Sequence, residues 1–83
     1  MVKKKEKTEK YLKNLGKRIR DLRIQKGYTN YEIFAYEKGI SRSQYGKYET
    51  GSEDLRFSSL IRIVEAHEMS LSEFFSEGFK ETT

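Results

Sequence analysis

The side chains with the most chemistry to offer lie in one short stretch of this chain, Ser41, Arg42, Ser43 and Gln44, followed by Lys47. Arginine and lysine bring fixed positive charge, glutamine an acceptor beside two donors, and serine a hydroxyl that does both. That mixture suits hydrogen bonding to a patterned, negatively charged surface rather than making or breaking covalent bonds. The rest of the chain has little for catalysis: no cysteine, one histidine and no Gly-rich phosphate loop. His67 is the one acid-base candidate. It is expected near the end of a fourth helix, where a histidine complements the helix C-terminus. With Glu65 or Glu68 it still lacks a third ligand for a metal. No enzymatic activity, cofactor or metal is expected.

For those polar side chains to act together, Ser41–Glu49 must be a helix. Ala35–Glu49 reads as two short helices joined by a tight turn. Ala35 lets the helices approach, Gly39 can take the positive φ that ends the first, and Ser41 caps the second. On that second helix Tyr45 and Tyr48 share a face, three residues apart, which leaves Arg42, Ser43, Gln44 and Lys47 to point outward. Such a face suits the reading of base edges in the major groove of DNA. Gly46 interrupts the helix at a cost of about 1 kcal/mol relative to alanine; close approach of backbone to DNA and mere tolerance both account for it.

The remaining pattern predicts five helices and no strand. Leu12, Leu15, Ile19 and Leu22 recur at helical spacing, and Gly27 ends that helix. The Lys-rich segment before Leu12 is expected to be a helix extension or a loose arm. Thr29 or Asn30 can cap the second helix, Thr29 in a capping box with Glu32. A polar loop runs from Thr50 to Asp54. The fourth helix carries Phe57, Leu60, Ile61 and Val64. Ser70-Leu71-Ser72-Glu73 is a capping box that opens a last helix, with Leu71, Phe74 and Phe75 inside and Gly78 as its stop. Three segments follow: a basic N-terminal arm or helix extension over 1–11, a domain over 12–79 and a short tail over 80–83.

Charge is unevenly placed. Residues 1–30 hold 11 Lys/Arg against 3 Asp/Glu, whereas residues 31–83 hold 6 against 10. The basic half is the one expected to meet a polyanion, with Lys3, Lys4, Lys5 and Lys7 either contributing to that field or merely solvated. Eighty-three residues with 35% apolar content allow one small domain, since chains of this size bury only about 60% of their unfolded surface. No membrane span or signal-like segment is evident, so a cytoplasmic protein is expected, associated with the nucleoid when bound to DNA.

In order and spacing these residues resemble the helix-turn-helix domains of the Cro/phage-repressor (XRE-type) superfamily, from about Leu12 to Phe75. The resemblance is carried by Leu15-Gly16-Lys17-Arg18-Ile19-Arg20, Leu22-Arg23 and Lys26-Gly27, then Ala35 with Gly39-Ile40-Ser41. Tyr48-Glu49 with Gly51, and Ser70-Leu71-Ser72-Glu73-Phe74-Phe75, complete it. It implies an all-α, compact five-helix, lambda-repressor-like domain, and double-stranded DNA as partner. The stand-alone Cro-like repressors and the restriction-modification controllers are the similar small regulators. Arg23 is implied to form a buried ion pair with Glu49, whose place at a helix C-terminus calls for compensation; an exposed Glu49 near Lys47 is the other possibility.

Eleven residues separate Gly27 from Gly39, one more than the commonest spacing in that family. Matching back from Gly39 puts Phe34 and Ala35 in the core and Tyr31 at the helix-2 phosphate contact; matching forward from Gly27 puts Asn30 there. Glu53 and Asp54 leave Arg56 as the only cation of the following loop. Reading enough base pairs calls for a homodimer, expected through the fourth and fifth helices, with Phe79 either exposed for the partner or folded back onto its own core. No small-molecule ligand is expected. The alternative is an antitoxin-like or other protein-interaction module that retains the helix-turn-helix fold.

Overall fold

The computed structural model describes the backbone of residues 2–79 and side chains from Thr8 onward. The expected tail over 80–83 and the side chains of Lys3, Lys4, Lys5 and Lys7 lie outside the described residues. Five helices follow in order: α1 (Val2–Gln25), α2 (Tyr31–Glu37), α3 (Arg42–Thr50), α4 (Phe57–Ala66) and α5 (Leu71–Phe74), with no strand among the described residues. The segment before Leu12 is thus continuous with α1, in keeping with its freedom from proline and glycine before Gly16.

Leu15, Ile19 and Leu22 of α1 pack on Phe34 and Ala35 of α2, Tyr45 and Tyr48 of α3, Leu60, Ile63 and Val64 of α4, and Phe74 of α5. Phe34 is the hub. Its ring centroid lies 5.1 Å from that of Tyr28, 5.4 Å from Tyr45 and 5.1 Å from His67. The burial of Phe34 and Ala35 follows the register counted back from Gly39. At that turn Gly39 is left-handed (φ 72°), and the Ile40 N–H returns to the Ala35 carbonyl at 2.8 Å, closing α2. Asn30 alone caps α2, its Oδ1 accepting from the N–H groups of Glu32 (2.7 Å) and Ile33 (3.3 Å). The Thr29–Glu32 box does not form, because α2 starts one residue too late for Glu32 to be its partner.

The closest helix contact is between α1 and α3. A Cβ on Gly16 would strike the Tyr48 and Glu49 carbonyl oxygens, and one on Gly51 would lie 2.8 Å from the Lys13 Cα. Backbone is therefore against backbone at the C-terminal end of α3. Gly16→Ala is expected to cost about 1–3 kcal/mol by overpacking, even though alanine is the better helix former by about 1 kcal/mol. A denaturation midpoint at or above wild type would contradict so close a contact.

Two elements depart from the expected pattern. On α4 the buried stripe is Leu60, Ile63 and Val64, continued by His67, while Ile61 is half-buried and Phe57 is 66% exposed. Phe57 is in helical register with Leu60 and Val64 but sits in the first turn, at the uncovered edge of the core. The capping box of α5 is present, with the Ser70 Oγ accepting from the Glu73 N–H and the Glu73 carboxylate accepting from the Ser70 N–H. The helix nevertheless stops at Phe74, well short of Gly78. Buried Arg18 donates to the carbonyls of Phe74 (2.7 Å) and Glu73 (3.1 Å), the acceptors that further turns would use. Phe74 alone of the three expected residues is buried; Leu71 and Phe75 face outward. Phe79 folds back, half-buried, its ring 4.9 Å from Phe75.

His67 does not act as a cation at the end of α4. Its ring stacks on Phe34 at 16° and is almost wholly buried, and Nε2 has no hydrogen-bond partner. Burial first, then the nearby charges of Lys26, Lys38 and Arg18, push its pKa down to about 4, so it is neutral at pH 7. The chain is turned here by Glu68, left-handed at φ 56°, with the Met69 N–H returning to the Val64 carbonyl.

Candidate nucleic-acid interface

α3 is held from behind and open in front. Ser41 caps it, Oγ accepting from the Gln44 N–H at 3.5 Å. Arg42, Ser43, Gln44 and Lys47 are exposed, and Tyr45 and Tyr48 are buried beneath them. At the far end Arg23 of α1 grips Glu49 with two hydrogen bonds, Nε to Oε2 at 2.7 Å and Nη2 to Oε1 at 3.0 Å. Both side chains are under 10% exposed, at 6% and 7%. The third arm of the guanidinium, Nη1, donates to the Tyr28 carbonyl at 2.6 Å. One cation thus ties α1, α3 and the turn before α2 together, and the Glu49 hydrogen bonds raise its pKa further. Glu49 faces Arg23 inside the domain, not Lys47 at the surface. The Tyr45 hydroxyl is buried close enough to feel the Glu49 charge but makes no hydrogen bond of good geometry; burial, then Glu49, push its pKa up.

Gly46 has a structural explanation unlike either expected one. The Tyr31 ring lies over it: a Cβ there would be 2.9 Å from Tyr31 Cε1 and 3.0 Å from its hydroxyl oxygen. Tyr31 also stacks on Tyr45, centroids 6.3 Å apart at 29°. Glycine in mid-helix lets a residue of α2 lie flat on α3. Asn30 is exposed beside it, with Oδ1 committed to capping. Arg56 is exposed at the N-cap of α4 and makes no side-chain capping bond there.

Two cations that sequence reasoning did not assign to the site also border α3. Arg20 lines a shallow basin with Tyr31, Ser43, Gly46 and Lys47. Arg62 donates to the Gly39 carbonyl at 3.4 Å and borders a cleft with Ser41, Gln44 and Ser58. Arg20 had a legible signal: it is one helical turn beyond Gly16, the residue on which α1 touches α3. Arg62 had none, because the placement of α4 against α3 is not local.

The family profile described as helix-turn-helix matches residues 19–74, most of the chain and all of α2 to α5. This chain belongs to the XRE-type helix-turn-helix family of DNA-binding transcription regulators. In its terms α2 and α3 are the two helices of the motif, with Gly39 in the turn between them. The chain is also similar to a solved structure, the high-resolution crystal structure of the restriction-modification controller protein C.AhdI from Aeromonas hydrophila. Identity is 30% over 77% of this chain and 96% of that one, with a TM-score of 0.69. No curated protein matches the sequence. Among the described residues of this helix-turn-helix chain, no helix is long and apolar enough to cross a membrane, and no three His, Asp or Glu side chains cluster to hold a metal.

Proposed function

We propose that this chain is a sequence-specific regulator that lays α3 into the major groove of double-stranded DNA, controlling transcription in the manner of a restriction-modification controller. The observation that carries the reading is the division of α3: four exposed hydrogen-bonding side chains, two of them cationic, on a helix whose other face and end are locked by Tyr45, Tyr48 and the Arg23–Glu49 pair. Arg42, Ser43 and Gln44 face the base edges, and Lys47, one turn further along the same exposed side, lines the groove. Asn30 or Tyr31, and Arg56, contact phosphates on either side.

One copy reads too few base pairs for useful specificity, since each good side-chain to base contact supplies about 1–3 kcal/mol of discrimination. A homodimer on half-sites about one helical turn apart meets that need. The apolar surface for it is Phe57, Leu71 and Phe75 of the α4–α5 region, and not Phe79, which is folded against Phe75.

A selection from a random DNA library tests the reading, returning the preferred site and its half-site spacing together. Against that site Arg42→Ala is expected to weaken binding by about 1–3 kcal/mol and to relax preference at one or two positions per half-site. Wild-type affinity and preference in that variant at matched salt would place base reading elsewhere. Recovery of the chain only as a stoichiometric complex with another protein, with no enrichment of DNA, would favour an interaction module instead.

A further inference from the structure

We propose that Arg20 and Lys47, with the Tyr31 hydroxyl, form a seat for one backbone phosphodiester of the bound DNA, so that α1 clamps the strand flanking the bases that α3 reads. The inference rests on the reading of α3 as the groove-entering helix, and deepens it by adding a contact from a third helix. Arg20 is exposed and has no ion-pair or hydrogen-bond partner among the described residues. It shares one basin with Tyr31, Ser43 and Lys47, drawn from α1, α2 and α3. The one acid bordering that basin, Glu49, has both carboxylate oxygens bonded to Arg23 and is 7% exposed. Two cations without an acidic partner and a phenol donor line one open, concave surface, a set that suits a singly charged oxyanion.

The position of Tyr31 is itself constructed. Its hydroxyl reaches the basin because Gly46 lets the ring lie on the α3 backbone, where any Cβ would press on its tip. Ser43, Gly46, Lys47 and Thr50 line it in turn, so the basin runs alongside α3 from its first turn to its last and does not lie ahead of the helix. A group held there meets the strand at the groove wall. Such a contact carries no sequence information; it sets how deeply and at what angle α3 docks.

The full chain is titrated by fluorescence anisotropy against a duplex recovered from the library selection and against a random-sequence duplex pool, over about 50–200 mM salt. Arg20→Gln is expected to weaken both by the same factor, roughly tenfold, and to reduce the log–log salt slope by about 0.9, the share of one phosphate. Its melting curve should match wild type, because the residue is exposed. Tyr31→Phe keeps the ring on Gly46 and should weaken both duplexes by a smaller common factor. Lys26→Gln removes an equal charge just past the C-terminal end of α1, where Lys26 faces Glu68 and does not line the basin, and should leave the slope within a few tenths.

In the recovered duplex, replacing single phosphodiesters by neutral methylphosphonates should reveal one position whose neutralisation weakens wild type but costs Arg20→Gln nothing further. Wild-type affinity and slope in Arg20→Gln, or a loss confined to the recovered duplex, would overturn the seat while leaving the reading of α3 intact. A wild-type chain that binds neither duplex would overturn that reading, and the seat with it.

Discussion

Arg23→Ala is expected to destabilise the fold by about 3–5 kcal/mol, the usual result of removing one partner from a buried ion pair. The size follows from what is left behind. Glu49 would keep a carboxylate only 7% exposed with no cation facing it, and the Tyr28 carbonyl would lose the donor at 2.6 Å. Because the pair joins α1 to the end of α3, the loss should appear in DNA binding as well as in the denaturant midpoint. Arg23→Met combined with Glu49→Met should recover much of the stability, since a buried pair adds little over well-packed apolar groups. It should not recover all of the binding if the pair sets the angle of α3. A cost below about 1 kcal/mol for Arg23→Ala would mean that Glu49 escapes to solvent, and that the pair is not the brace described.

The second large effect is a dependence on pH. His67 has its folded pKa lowered to about 4 from an ordinary 6.5, so the unfolded chain takes up its proton first. Its contribution to stability is complete above about pH 6.5 and is lost progressively as the pH falls towards 4, below which both states are protonated and the loss levels off. The displacement corresponds to up to about 3 kcal/mol. His67→Phe retains a ring to stack on Phe34 but cannot titrate. The difference between wild-type and His67→Phe unfolding free energies, measured from pH 8 to 4, isolates this group from the carboxylates that titrate in the acid part of the range. A flat difference would show that the imidazole reaches water when charged.

Much of this architecture was legible along the chain because its signals are local. Ser41 and Ser70 cap helices within a reach of three residues, Gly39 turns the backbone without a Cβ to clash, and Tyr45 and Tyr48 share a face through helical periodicity alone. Those features are enough to expose Arg42, Ser43, Gln44 and Lys47 together, and the same order and spacing carried the resemblance to the family.

What the tertiary structure decided concerns groups that meet from distant positions. The guanidinium of Arg18 ends α5 from 56 residues away, and Tyr31 occupies the space over Gly46 from the neighbouring helix. Burial inside the core, with cations nearby, keeps His67 neutral, and the limited reach of that core leaves Phe57 outside while Phe79 folds in. Periodicity tells which side of a helix is apolar, but not how far along it the neighbouring elements extend. Caps, turns and the exposed polar face of α3 were therefore determined by the sequence through contacts of three or four residues. The charge state of a buried side chain, the edge of the core and the space a missing Cβ leaves open depend on desolvation and packing between elements, which only the assembled fold supplies.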